Sequence, residues 1–160
     1  MSDAAELIGA LRARGWTLGV AESLTGGAVA AEIVSVPGAS AALWGAVVAY
    51  ATPVKHTVLG VDADLLARHG PVHAEVAVQM ADGIRRVVAV DGRAADVGIS
   101  TTGIAGPDSP DGQPVGTVHV GVVTPRERIS RLHVFAGTRA EVRQQATDAA
   151  IALALETVRE

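Results

Sequence analysis

Residues 17–27 read Thr-Leu-Gly-Val-Ala-Glu-Ser-Leu-Thr-Gly-Gly, and their reading decides the fold. The first five are β-prone and largely apolar, so residues 17–21 read as a short buried strand. Gly26 and Gly27 supply the freedom for a tight turn into a helix over residues 28 to about 34, which Pro37-Gly38 ends. That turn sets Ser23 at the carboxyl edge of a sheet and aims helix-start N–H groups at the same place. Donors so placed, around Thr25, Gly26 and Gly27, suit a phosphate or the oxyanion of a tetrahedral intermediate. The mechanics resemble a nucleophile elbow, although the residues do not spell G-x-S-x-G. Taken locally, a helix-capping Ser accounts for the stretch equally well.

Upstream, Leu7, Ile8 and Leu11 share one face of an amphipathic helix that Gly15 stops. Downstream, residues 43–50 read as a second buried strand, and Thr52-Pro53 starts a short helix carrying Lys55. Asp62 reads as an N-cap and Gly70 as a C-terminal stop. Ala77, Met80, Ile84 and Val87 follow the helical period, giving a long amphipathic helix over 74–89. Residues 96–101 form a strand that enters a loop over 103–114, whose three glycines and three prolines forbid regular structure. Two strands follow, over 116–123 and 129–135, as a hairpin turning at 124–128. Thr138 and Glu141 form a capping box for a helix continuing through Val142, Ala146, Ala149 and Leu153. Strands alternating with helices, then a hairpin, predict a single domain over residues 1–160: a three-layer α/β/α sandwich with a mixed, mostly parallel sheet.

Composition narrows the function. The chain has 160 residues, 49% of them hydrophobic but only 2% aromatic, so the core rests on Ala, Val, Leu and Ile, whose small side chains permit close backbone approach. A net charge of −4 without a basic run argues against nucleic acid and against a membrane patch. Without cysteine there is no disulfide, thiolate nucleophile or zinc–thiolate site. Nothing at the start reads as a signal peptide, and no apolar run reaches the ~18 residues of a membrane span. These features read as a cytoplasmic protein. Among the five histidines, His69 and His73 are separated by Gly70-Pro71 and share no helix face, so a metal pair is not expected. His119 and His133 fall on the hairpin strands, where they could face each other but read rather as half-buried or exposed sheet positions. Asp108 and Asp111 read as a solvated turn. No metal or cofactor is expected.

Two further segments bear chemistry. Lys55 is the only lysine beside twelve arginines, and Tyr50 is the only tyrosine. Where Arg serves as the general cation, a lone Lys suggests proton transfer, because a buried amine can lose its proton and a guanidinium cannot. Residues 100–107, Ser-Thr-Thr-Gly-Ile-Ala-Gly-Pro, bring hydroxyls and glycine N–H groups to a strand end, where they suit phosphate or ribose.

Four stretches, AESLTGG (21–27), GAVVAYATPVKHTVLGV (45–61), TTGIAGP (101–107) with PVGTV (114–118), and GTRAEVRQQA (137–146), occur in an order and spacing that resemble the CinA C-terminal domain family. Members of this kind are nicotinamide-nucleotide amidohydrolases. The resemblance covers nearly the whole chain. It implies hydrolysis of nicotinamide mononucleotide to nicotinic acid mononucleotide and ammonia, with Ser23 as nucleophile, Lys55 as base and Tyr50 assisting. It places Thr102, with Gly103 and Gly106, and Arg139 on the nucleotide, with Arg143 the weaker candidate for phosphate. A homodimer is also implied. Leu24 stands where the family often has Cys, and His73 where a hydroxyl is usual, so a cap or contact is expected to change there. The larger N-terminal domain of some relatives is not in this sequence, and its activity is not expected. A nucleotide-binding or regulatory module without hydrolysis is the alternative.

Overall fold

The computed structural model describes residues 1–160. Strand β1 (Leu18–Glu22) is an interior strand, second from one edge of a five-stranded sheet, and is buried along its whole length. It pairs in parallel with β2 (Leu43–Val48) on one side and with β3 (Val97–Gly103) on the other. β4 (Thr117–Val123) pairs antiparallel with β3, and β5 (Arg128–Val134) antiparallel with β4, giving the order β2-β1-β3-β4-β5. Only β4 therefore runs against the rest, and the sheet is mixed and mostly parallel as expected.

Helices cover both faces. On one lie α1 (Asp3–Arg14), α2 (Ala28–Val34) and the long α6 (Arg139–Arg159), whose Leu7, Ile33, Ala146 and Ala150 close the larger core on Val20, Ile99, Val118 and Val120. On the other lies α5 (Ala74–Val87), with Met80 and Ile84 packed against Leu59, Val61 and Leu66 beside α3 (Thr52–Thr57) and α4 (Ala63–His69). Backbone proximity replaces large side chains here. A Cβ on Gly98 of β3 would sit 1.8 Å from the Ala81 carbonyl oxygen, and one on Gly121 of β4 would sit 2.4 Å from that of Ala77. Glycine at these two strand positions lets α5 lie directly on the sheet.

The capping signals act as read. Asp62 accepts from the Leu65 N–H at 2.9 Å. Thr138 and Glu141 exchange side-chain and backbone bonds at 3.3 Å each. His73, in place of the usual hydroxyl, keeps the cap of α5, because its Nδ1 accepts from the Glu75 N–H at 3.1 Å. One expectation fails. β2 is half-exposed rather than buried, since it is an edge strand with only β1 beside it. Its register also slips by one residue at Trp44, a bulge that interrupts the open edge. No helix is long and apolar enough to cross a membrane.

Candidate active site

β1 ends at Glu22 and the chain turns at Ser23, at the carboxyl ends of the parallel strands where α/β folds collect ligands. Lys55 reaches the same point from α3, a helix started by Pro53 in its first turn. Lys55 is 1% exposed, the bulkiest fully buried side chain of the molecule. Its Nζ lies 3.0 Å from Ser23 Oγ, 2.7 Å from the Ala49 carbonyl oxygen and 3.3 Å from that of Tyr50. A neutral amine has two N–H bonds and one lone pair. Two carbonyls and one hydroxyl satisfy the ammonium, which donates to all three, and equally the neutral amine, which donates to the two carbonyls and turns its lone pair to the Ser23 hydroxyl. Burial favours the neutral state, lowering the amine from 10.5 to about 8. A hydroxyl against a buried amine that is neutral in part near pH 7, and mostly so above about 8, can be deprotonated as it attacks an electrophilic carbon.

The turn after Ser23 is built differently from the sequence reading. The helix-start donors do not face a ligand. The Glu22 carboxylate, fully buried, accepts from the N–H groups of Gly27 at 3.1 Å, Val29 at 3.0 Å and Ala30 at 3.0 Å. Gly26 N–H is spent on the Ser23 carbonyl at 3.1 Å, and the Thr25 hydroxyl lies 2.8 Å from Thr101 Oγ1. Thr25, Gly26 and Gly27 therefore do not line the cleft with free side chains or helix-start donors. The N–H groups of Leu24 and Thr25 have no protein acceptor, and Leu24 lines the cleft. Thr101 also accepts from the Ser23 N–H at 3.3 Å. Arg143 donates to the carbonyls of Leu24 at 2.9 Å and Thr25 at 3.2 Å, so it belongs to the turn and not to the cleft. Glu22 and Thr101 escaped the sequence reading. The carboxylate next to the nucleophile was the available signal, since a charge in a strand otherwise apolar must find partners.

A cleft of about 620 Å³ opens above Ser23 and Lys55, within the roughly 300–1,000 Å³ of small-molecule sites. Tyr50, Thr102, Gly103, Gly106 and Arg139 all line it. Four segments far apart in the chain thus meet at one place. Tyr50 stands on the rim, 62% exposed, its hydroxyl accepting from Arg139 Nη2 at 3.1 Å. Arg139 Nη1 donates to the Gly106 carbonyl at 2.6 Å. The guanidinium has five N–H bonds, and these contacts leave three for a ligand. The Thr102 hydroxyl is already given to the Pro71 carbonyl at 2.7 Å, where it fixes the opposite wall. Gly103 answers a packing demand, because a Cβ there would lie 2.6 Å from the Thr117 carbonyl oxygen. Asp108 and Asp111 lie exposed on the rim, and Asp111 is tied into its own turn by Gln113.

The histidines stay apart from the chemistry. His69 ends α4 and His73 caps α5, and the bend between brings their rings into a stack at 4.5 Å. His119 and His133 do not face each other. His119 pairs with Leu132, and His133 with Val118, so the two point to opposite faces of the sheet. No group of three or more His, Cys, Asp or Glu side chains is placed to hold a metal ion.

Comparison with known proteins identifies the family. Residues 2–158 match the CinA C-terminal domain. A CinA-like protein of Salinibacter ruber is 45% identical over 151 residues, covering 93% of this chain and 35% of the relative. A CinA-like protein of Frankia casuarinae is 43% identical over 147 residues, covering 92% and 33%. The chain thus spans about a third of the length of these relatives. Among solved structures, competence damage-inducible protein A from Klebsiella pneumoniae superposes with a TM-score of 0.91 at 34% identity, covering 99% of this chain and 96% of that one. The competence/damage inducible protein CihA from Agrobacterium tumefaciens gives 0.87 at 28% identity, covering 100% and 98%. The chain belongs to the CinA C-terminal domain family.

Proposed function

We propose that this chain hydrolyses the carboxamide of nicotinamide mononucleotide to nicotinic acid mononucleotide and ammonia, with Ser23 as nucleophile and Lys55 as base. One observation supports the chemistry above all others: the only lysine is buried, its nitrogen 3.0 Å from the Ser23 hydroxyl, with its two other hydrogen-bond partners both carbonyls. That surrounding suits a proton acceptor. The substrate follows from the family resemblance and from a rim that offers Arg139 to a phosphate.

Ser23 Oγ attacks the carboxamide carbon while its proton passes to Lys55 Nζ. The oxyanion is received by the free N–H group of Leu24, which lines the cleft, not by the fully buried Thr25 or the occupied donors of Gly26 and Gly27. Lys55 then returns the proton to the departing nitrogen as the C–N bond breaks, and ammonia leaves. Tyr50, next to Arg139, is the second group able to supply that proton. Water, deprotonated by Lys55, attacks the Ser23 ester; the acid leaves and the Ser23 hydroxyl is restored. Arg139 holds the phosphate with its three remaining N–H bonds. Thr102 and the backbone from Gly103 to Gly106 wall the ribose. The protein acts as a cytoplasmic homodimer, which light scattering of the purified chain tests.

The deciding experiment measures ammonia released from nicotinamide mononucleotide by the wild type and by Ser23→Ala. The wild type should turn over, and the variant should lose on the order of 10⁴-fold or more in kcat, as when a serine nucleophile is deleted. Thermal stabilisation of the wild type by the nucleotide without ammonia release would instead identify a binding module.

A further inference from the structure

α6 begins with two arginines one turn apart, Arg139 and Arg143. A helix N-terminus disfavours cations, so each needs a partner elsewhere to hold it there. Arg139 finds the rim. Arg143 finds the backbone of the nucleophile turn, and its two bonds head two hydrogen-bonded chains. In the first, Nε donates to the Leu24 carbonyl at 2.9 Å, and the N–H of that same peptide group belongs to Thr25. In the second, Nη2 donates to the Thr25 carbonyl at 3.2 Å. The N–H of that peptide group, on Gly26, donates to the Ser23 carbonyl at 3.1 Å. The N–H across the Ser23 peptide group belongs to Leu24. Both chains start on one cation, and they end on the two N–H groups of the turn that have no protein acceptor.

A trans peptide group is planar, with its C=O and N–H pointing in opposite directions. Holding the oxygen toward α6 therefore turns the Thr25 N–H away from α6. Hydrogen bonds in such chains also polarise one another, and a cation at the head draws electron density from the terminal N–H. Of the other contacts of the turn, only the Ala28 N–H shares an atom with Arg143, donating to the Thr25 carbonyl at 3.0 Å, whereas the Leu24 carbonyl is bound by Arg143 alone. Glu22 takes the N–H groups of Gly27, Val29 and Ala30, and Thr101 takes that of Ser23. Arg143 is the only side chain bound to the Leu24 and Thr25 carbonyls.

We infer that Arg143 is a positioning residue that fixes, through two peptide relays, the turn after Ser23 and strengthens the Leu24 N–H group that receives the oxyanion formed at Ser23. This rests on the amidohydrolase assignment for its meaning but not for its readout.

The test uses a small alkyl fluorophosphonate, which carries neither ribose nor a nucleotide phosphate. Ser23 Oγ bonds to phosphorus, fluoride leaves, and the hydroxyl proton passes to Lys55, so the rate of adduct formation, read by mass spectrometry, reports the nucleophile and its oxyanion donor alone. Arg143→Met should lower that rate and the kcat for nicotinamide mononucleotide together. The fall should be about tenfold to hundredfold, below the roughly 10²–10³ of deleting an oxyanion donor, with KM changed little. Arg143→Lys, which keeps the charge but not the fork, should fall between. Melting curves establish that each variant is folded, and if Arg143→Met is not, Arg143→Lys decides by the same comparison. An undiminished labelling rate in a folded variant, with or without a raised KM, overturns the inference. A wild type that takes no adduct at Ser23 overturns the nucleophile assignment beneath it. A labelled wild type that releases no ammonia removes the amide substrate and leaves the Arg143 comparison readable.

Discussion

The floor and the rim of the cleft are held in different ways. On the floor, Glu22, Ser23, Thr25, Lys55 and Thr101 are all buried, and each has a protein partner within hydrogen-bond distance. On the rim, Tyr50, Arg139, Asp108 and Asp111 are exposed, and Arg139 keeps donors in reserve. Oriented dipoles that need no rearrangement serve a reaction centre, whereas exposed groups with spare donors serve recognition. The floor thus holds the chemistry and the rim the choice of ligand, and substitutions should separate along that line.

Loss of the nucleophile or the base aside, the largest effect is expected at Glu22→Gln. The amide keeps the shape but turns one acceptor into a donor facing the N–H groups of α2. Leaving buried groups mismatched costs about 1–3 kcal/mol, and the displaced turn should lower kcat at least tenfold. Urea denaturation and kinetics on the same preparation check both; full stability would mean that the carboxylate is not the anchor of the turn.

Lys55→Met comes next, through stability. The unfolded chain keeps the lysine proton up to its ordinary 10.5, whereas the folded chain releases it at about 8. Between those values the unfolded state binds more protons, so wild-type stability rises with pH from about 8 to 10.5, by at most roughly 3 kcal/mol. Lys55→Met has no such term. Its stability relative to the wild type should therefore fall between pH 7 and pH 10 in paired denaturation curves.

On the rim, Arg139→Gln should raise KM for nicotinamide mononucleotide about tenfold with kcat within a few-fold, the signature of lost ground-state binding. A fall confined to kcat would move Arg139 to the floor. The smallest effect is expected at Gln113→Ala, which removes the bond from the 103–114 loop to the Val72 carbonyl, 3.1 Å in length, at the edge of the cleft, and one within the loop to Asp111 at 2.7 Å. It should cost about 1 kcal/mol or less, read as a melting shift of a few degrees.

What was legible in the sequence follows the same division. Helix periods, caps and turn residues are local, and α1, α5 and α6 formed close to the expected limits. Ser23, Lys55, Tyr50, Thr102 and Arg139 were expected at one site and do line one cleft. What was not legible depends on partners distant in the chain. Gly26 and Gly27 do open the turn, at φ of 60° and 106°, but the donors they were expected to free are taken by Glu22. Thr101 looked like its neighbour Thr102 until strand register turned one towards Ser23 and the other towards Pro71. Arg143 was read as the weaker candidate for phosphate, yet the single turn that separates it from Arg139 carries it from the rim to the floor. β2 looked buried because apolar content alone does not tell an edge strand from a central one.

The measurement that bears most directly on the Ser23–Lys55 pair is the pH dependence of kcat/KM for ammonia release from nicotinamide mononucleotide, by the wild type and by Lys55→Arg. The base acts when neutral, so wild-type activity should rise as pH increases, about tenfold per unit, and level off above about 8, the value that burial gives Lys55. Lys55→Arg keeps the positive charge but cannot give up its proton, and it should be reduced on the order of 10³-fold or more at every pH. A Lys55→Arg variant that retains wild-type activity and the same rise would contradict the assignment of Lys55 as the base.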